Sequence, residues 1–195
     1  MNKKYKFFRL LLKMFYEVEI EDIVRIPPNM LKEDEVKTIE EVLRKVYIGT
    51  NSKTIGTIIS VVEILSVGEG IVIPEDGGVY YKVRFKVISF YPEVGELVYG
   101  IVSSIADFGV FLNIGPVDGL VHVSQVMDDE VVISGRDALM GKNTKKVLKV
   151  GDLVRARVIT VSYKDITNVR IGLTMKQPGL GKLEWLEEKQ TKKKK

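Results

Sequence analysis

The residue types able to do chemistry in this chain are few and clustered. Phe108 and Phe111 flank Gly109, and His122, the one histidine of the 195 residues, follows in the same stretch. Further on, Arg155 and Arg157 alternate within an apolar run, and Arg170 opens another. Rings on an outer strand face can stack single-stranded nucleic acid, because every base offers a π-face, and each contact contributes roughly 1–3 kcal/mol without demanding a sequence. Alternating arginines beside exposed rings make a phosphate-tracking groove. The plainer alternatives are that the phenylalanines only cover the end of a barrel and that the arginines are solvated. Catalysis has no foothold. There is no cysteine, hence no disulfide, thiol nucleophile or thiolate metal site, which fits a reducing cytoplasm. The histidine has no Cys or second His for a metal site, and neither a phosphate-binding Gly-Lys loop nor a nucleophile elbow occurs. Gly68-Glu69-Gly70 lacks the rest of a dinucleotide fingerprint. Neither a cofactor nor a metal is expected.

The elements that must position these residues read as a small β-barrel. Val98 to Ser103 is a β-branched run, Asp107-Phe108-Gly109 breaks it, and Val110 to Ile114 alternates until Gly115-Pro116 turns the chain. A third strand covers Leu120 to Val123 and a fourth Leu153 to Ser162. Period-two logic turns Val110, Leu112, Ile114, Val121 and Val123 one way and leaves Phe111, Asn113 and His122 on the other; Arg155 and Arg157 share a face opposite Val154, Ala156 and Val158. The connection from Gln125 to Val150 is longer than a minimal barrel needs, acidic at Asp128-Asp129-Glu130 and basic at Lys142, Lys145, Lys146 and Lys149. Its polar part, Ser134 to Lys146, is either a mobile loop that drapes over RNA or an ordered helical extension.

Five blocks in order, Gly100-Ile101-Val102, Asp107 to Leu112, Gly119-Leu120-Val121-His122-Val123-Ser124, Gly151 to Val154 and Arg170 to Thr174, closely resemble the RNA-binding OB domain named after the largest small-subunit ribosomal protein. The resemblance implies an RNA face of Phe108, Phe111, His122 and Arg170. One position departs from it. Where an aspartate usually stands four residues before the last-strand arginine, this chain has Ile166. Either Asp165 substitutes, within a lengthened loop from Tyr163 to Val169, or that contact is missing.

Charge is unevenly distributed along the chain. Of a net +4, residues 142–195 hold fifteen Lys and Arg against five Asp and Glu, and the rest hold fifteen against twenty-one. A basic C-terminal half suits a polyanion and an acidic N-terminal half a protein partner, although for Lys192 to Lys195 solvated surface is the plainer reading. A hydrophobic content of 45% allows one large or two small cores, and the Gly and Pro punctuation favours two. In the first thirteen residues, Arg9 and Lys13 interrupt the apolar run of Phe7-Phe8 and Leu10-Leu11-Leu12, and no small-residue cleavage site follows. The run is too short to span a membrane. The segment reads as an amphipathic helix or as an upstream artefact before a start at Met14; we take the second reading.

From Tyr16 to Ile26 apolar and acidic residues alternate, with a phase shift expected near Asp22, until Pro27-Pro28 ends the strand. A helix is expected over Asp34 to Tyr47, with a buried stripe of Val36, Ile39, Leu43, Val46 and Tyr47 and acidic residues, from Glu33, in its first turn. Apolar runs at Thr57 to Leu65 and Val79 to Phe90 flank a short strand near Ile71 to Ile73. The order β-α-β-β-β makes an antiparallel sheet packed on one helix, with a boundary at Tyr91-Pro92. Runs as apolar as Thr57 to Leu65 imply that the sheet leaves an apolar surface for a helical partner.

Ile23 to Asn29, the Asp76-Gly77-Gly78 turn leading into Tyr80 to Tyr91, and Leu173 to Trp185 with its Leu-Gly-Lys-Leu-Glu-Trp end resemble the E′ family of archaeal RNA polymerase subunits, whose eukaryotic counterpart is the seventh subunit of polymerase II. The resemblance runs from Met14 to about Trp185. It implies an α+β N-terminal domain over 14–92 that docks on the polymerase core, with Arg25, Pro27, Pro28 and Asn29 at the contact, and that pairs with the small helical polymerase subunit of the F family. A five-stranded OB barrel over 93–180 then reaches nascent single-stranded RNA through Phe108, Phe111, His122 and Arg170, to which the alternation of the fourth strand adds Arg155 and Arg157. Residues 1–13 are an extension, and 181–195 a C-terminal anchor, with Trp185 packed, and a basic tail. The expected function is that of a non-catalytic, cytoplasmic stalk subunit with no membrane partner. The alternative is an OB-domain RNA-binding factor of translation or RNA decay; those relatives place the barrel first or add a KH domain or zinc ribbon, neither of which is present.

Overall fold

The computed structural model describes residues 14–31, 34–134, 138–163 and 169–187, together with the backbone of 4–9. Ile166, Asp165 and the Lys192 to Lys195 tail lie outside the described residues, as does Glu33. The chain divides into two compact units at Tyr91/Pro92.

The first unit is an antiparallel sheet against one helix. Its strands are β1 (Lys4–Arg9), β2 (Phe15–Ile26), β3 (Asn51–Ser52), β4 (Gly56–Val67), β5 (Ile71–Val72) and β6 (Val79–Phe90), and its helix is α1 (Glu35–Tyr47). They lie in the order β1-β2-β6-β4-β3, with β5 also on β6. The segment read as an upstream artefact or a helix thus has a strand, β1, paired antiparallel with β2 from Lys4↔Glu21 to Arg9↔Tyr16.

β2 and β6 pair over twelve residues, from Phe15↔Phe90 to Ile26↔Val79. No phase shift occurs at Asp22. Val18, Ile20, Asp22, Val24 and Ile26 all point inward, and Ile23 points out. The inward carboxylate is tolerated because the Tyr47 hydroxyl of α1 donates to it and the Ile23 N–H donates to Oδ1 at 2.9 Å. The helix starts at its Asp34 N-cap, whose carboxylate accepts from Lys37 N at 3.1 Å. Its buried face is Thr38, Ile39, Val42, Leu43 and Tyr47. Val36 and Val46, expected in that stripe, are each 54% exposed; they lie on the side of Ile39 and Leu43 but in the first and last turns of the helix.

β4 explains its own sequence. Three bulges, at Ile59, Val62 and Leu65, each insert a residue against β6, so the inward positions Ile58, Val61, Ile64 and Val67 recur every three residues rather than two. The run is apolar without alternation for that reason. The outer face of the sheet is charged over β2 and β6. Glu17, Glu19 and Glu21 of β2 meet Lys86, Arg84 and Lys82 of β6 in a cross-strand ladder of ion pairs, and Glu63 joins Lys86 at 2.7 Å. Exposed apolar side chains remain at Val62, Leu65 and Ile71 to Ile73.

The second unit is the five-stranded barrel: β7 (Leu97–Ala106), β8 (Gly109–Asn113), β9 (Asp118–His122), β13 (Leu153–Ser162) and β14 (Arg170–Thr174). β14 pairs with both β9, in parallel, and β13, which closes the barrel. Val98, Val102, Val110, Leu112, Val121, Val154, Ala156, Val158, Ile171 and Leu173 fill it. Between β9 and β13 the described residues of the connection form strands where a loop or a helical extension was expected. It folds as a meander of β10 (Val131–Ile133), β11 (Ala138–Gly141) and β12 (Val147–Lys149), with Leu139 and Leu148 fully buried. Asp129 pins its turn, accepting from Thr144 N at 2.7 Å, Thr144 Oγ1 at 2.8 Å and Asn143 Nδ2 at 2.8 Å. These donors hold its carboxyl well below the ordinary carboxylate range. β15 (Gly181–Lys182) adds to β13, and the half-buried Trp185 lies against Gly181 with Lys146 Nζ 5.5 Å from its ring centre.

Candidate nucleic-acid interface

Alternation along β8, β9 and β14 decides which side chains reach the outer wall. On β8, Val110 and Leu112 are buried, so Phe111 and Asn113 face out; on β9, Gly119 and Val121 are inside, so Asp118, Leu120 and His122 face out. On β14 the outward pair is Arg170 and Gly172. Register then lays these residues in rows across the strands. Phe111 pairs with Leu120, Leu120 with Gly172 and Gly172 with Thr160, giving an apolar row in which Thr160 lies across Gly172. Beside it, Asn113 pairs with Asp118 and Arg170 with Ser162, giving a polar row.

A groove of about 520 Å³ runs between the rows, lined by Phe111, Asp118, Leu120, Thr160, Ser162 and Arg170 with the backbone of β14 as its floor. Gly172 lets Thr160 lie across it: a Cβ there would stand 2.3 Å from Thr160 Oγ1, so the threonine side chain covers that position. At the end of the groove Phe108, 53% exposed, meets Phe111 edge-on at 5.9 Å between ring centres and 89° between planes. The T-shaped contact holds both rings while leaving ring faces for a base. His122 Nδ1 accepts from Ser124 N at 3.3 Å and lies 2.9 Å from Ser124 Oγ, which leaves Nε2 as the ring's outward polar atom.

Of the six residues expected on the RNA face, four therefore gather here: Phe108, Phe111, His122 and Arg170. Arg155 and Arg157 do not. They pair with Tyr99 and Leu97 of β7, seven and five residues before Ser162, which at about 3.3 Å per residue places them roughly 17–23 Å along β13 from Arg170. There Arg155 lies 5.4 Å from the Tyr99 ring centre, and the two guanidinium groups reach the carbonyls of Gly179 and Gly95 at 3.4 Å. Sequence reasoning missed Asp118, Leu120 and Gly172. Counting by twos back from His122 and forward from Arg170 finds all three.

In the first unit, Arg25, Pro27, Pro28 and Asn29 lie at one end of the sheet. Pro28–Met30 forms a 3-10 turn after Pro27. Arg25 Nε donates to Asp76 at 3.0 Å, and the Tyr80 hydroxyl also donates to that carboxylate. The Arg25 guanidinium and the Tyr80 hydroxyl together hold the Asp76 carboxyl at about 2, and Asp76 raises Arg25 further above its usual range. Gly77, at φ +64°, lies beside the Pro28 ring, so the ion pair ties the proline corner to the neighbouring turn.

Among the described residues no cluster of three potential metal ligands occurs, and no helix is long and apolar enough to cross a membrane. Residues 91–172 match the S1 RNA binding domain, and residues 21–77 match the SHS2 domain found in the N terminus of Rpb7p/Rpc25p/MJ0397. The chain is similar to DNA-directed RNA polymerase subunit Rpo7 of Sulfolobus acidocaldarius, 40% identical over 176 residues covering 90% of this chain and 96% of the relative. The Rpo7 of Saccharolobus solfataricus is also 40% identical, over 92% of this chain and 100% of its own length. DNA-directed RNA polymerase III subunit RPC8 of Saccharomyces cerevisiae is 26% identical over 78% of this chain and 74% of its own.

Proposed function

The chain belongs to the Rpo7/Rpb7 family of DNA-directed RNA polymerase subunits, and from that premise we propose that it is a non-catalytic stalk subunit that holds nascent single-stranded RNA on its barrel. The first unit docks on the polymerase core through the corner of Arg25, Pro27, Pro28 and Asn29 and pairs with the small helical subunit of the stalk. A corner of two prolines braced by an ion pair presents its tip at little ordering cost. The observation that carries the RNA reading is the groove lined by Phe111 and Arg170, with Phe108 against Phe111 at its end and His122 on the same outer face. Stacking rings supply affinity without sequence demand, and Arg170 supplies a phosphate contact. The alternative of a translation or RNA-decay factor draws no support from relatives that are polymerase subunits along both units.

The test is binding of fluorescent single-stranded RNA to the full chain across a salt series. Affinity falls on a log-log plot with a slope of about −0.7 per phosphate neutralised. A flat response, or no binding at low salt, would refute the RNA reading.

A further inference from the structure

The groove has a chemistry that non-specific stacking does not use. Its apolar row is Phe111, Leu120 and Thr160, the last lying across Gly172. Its polar row sets an acceptor beside a donor. The parallel register Ile171↔Gly119 puts Arg170 next to Asp118, both exposed and both lining the groove. Asn113 Nδ2 donates to Asp118 Oδ1 at 3.2 Å and so orients the carboxylate.

Resting on the RNA reading above, we propose that this groove takes one guanine of the bound strand, with Asp118 accepting from its Watson–Crick edge. The bases differ in what they show a carboxylate. Guanine alone presents two adjacent donors, N1–H and the N2 amino group, with the O6 acceptor beside them for Arg170. Adenine and cytosine each present one amino donor next to an acceptor, and uracil presents a single N–H between two carbonyls. A carboxylate facing a carbonyl oxygen is repelled and left without a partner, so the polar row penalises uracil as well as favouring guanine. The result is a moderate compositional preference superimposed on stacking.

The experiment uses the full chain and four twelve-nucleotide RNAs, oligo(U) and oligo(U) with one central guanine, adenine or cytosine, by fluorescence anisotropy. The guanine oligomer binds about fivefold tighter than oligo(U), with adenine and cytosine between. Asp118→Asn keeps an acceptor for Asn113 yet removes the ionic acceptor, and the guanine to uracil ratio falls toward one while overall affinity holds or rises. Glu130→Gln, on the meander, leaves the ratio unchanged. Equal binding of all four oligomers, or a guanine ratio that survives Asp118→Asn, overturns the guanine assignment but leaves RNA binding standing. Failure to bind any of the four overturns both.

Discussion

Replacing Tyr47 by Phe deletes one oxygen atom and tests how the first unit holds its helix. The Tyr47 hydroxyl reaches across from α1 to the Asp22 carboxylate, which sits in phase with Val18, Ile20, Val24 and Ile26 on the buried side of β2. The ring itself stays packed, edge-on to Phe85 at 4.9 Å, so the variant removes a hydrogen bond and leaves the apolar contact. A buried charged acceptor that loses a donor costs about 1–3 kcal/mol. Asp22 keeps the Ile23 N–H on Oδ1, which argues for the lower half of that range. Truncating Phe85 to Ala, by comparison, should cost about 3–5 kcal/mol because it empties the centre of the core. Urea unfolding followed by circular dichroism measures both, and a cycle with Asp22→Asn isolates the pair, with a coupling of about 0.5–3 kcal/mol expected. A Tyr47→Phe variant as stable as the parent, with no coupling, would refute the claim that the hydroxyl is what makes an inward Asp22 acceptable.

Three further outcomes follow from the geometry. Asp76 is held at about 2, below its ordinary 3.8, by Arg25 and Tyr80; a depressed carboxyl favours the folded state above about pH 4 and loses that contribution as pH falls toward 2. A pH series of thermal melts should show this loss shrinking in Asp76→Asn, and because the group is exposed the effect should weaken in salt. Asp129→Ala removes the acceptor for Asn143 and Thr144, so hydrogen exchange should speed up at residues 141–146 while the barrel strands keep their protection. Arg155→Ala and Arg157→Ala should each weaken RNA binding less than Arg170→Ala does in the same anisotropy assay, since neither lines the groove.

The barrel was legible in the sequence because its strands alternate cleanly: Val110, Leu112 and Val121 are fully buried, as period two requires, and Phe111 and His122 face out. Three features were hidden, each for a physical reason. Asp22 read as a break in phase because its partner, Tyr47, lies 25 residues away, beyond any local pattern. β4 read as a uniformly apolar run because its bulges convert period two into period three. The meander of β10 to β12 was invisible because its strands are three or four residues long and its turn is fixed by one carboxylate from outside it. The groove itself was half legible. The rings, His122 and Arg170 came from motif and parity, whereas Asp118 and Gly172 acquire meaning only from cross-strand register, and that same register separates Arg155 and Arg157 from them.

The central claim is that RNA and polymerase contacts reside in different units, and a paired measurement on two sets of variants tests it most directly. Phe111→Ala with Arg170→Ala should weaken RNA binding by roughly 1–3 kcal/mol per lost stacking contact and leave retention on core polymerase in a pull-down unchanged. Pro27→Ala with Pro28→Ala and Asn29→Ala should reduce retention and leave RNA affinity unchanged, with circular dichroism confirming the fold of each. If the barrel variant instead loses the polymerase while keeping RNA, the division of labour between the units is wrong.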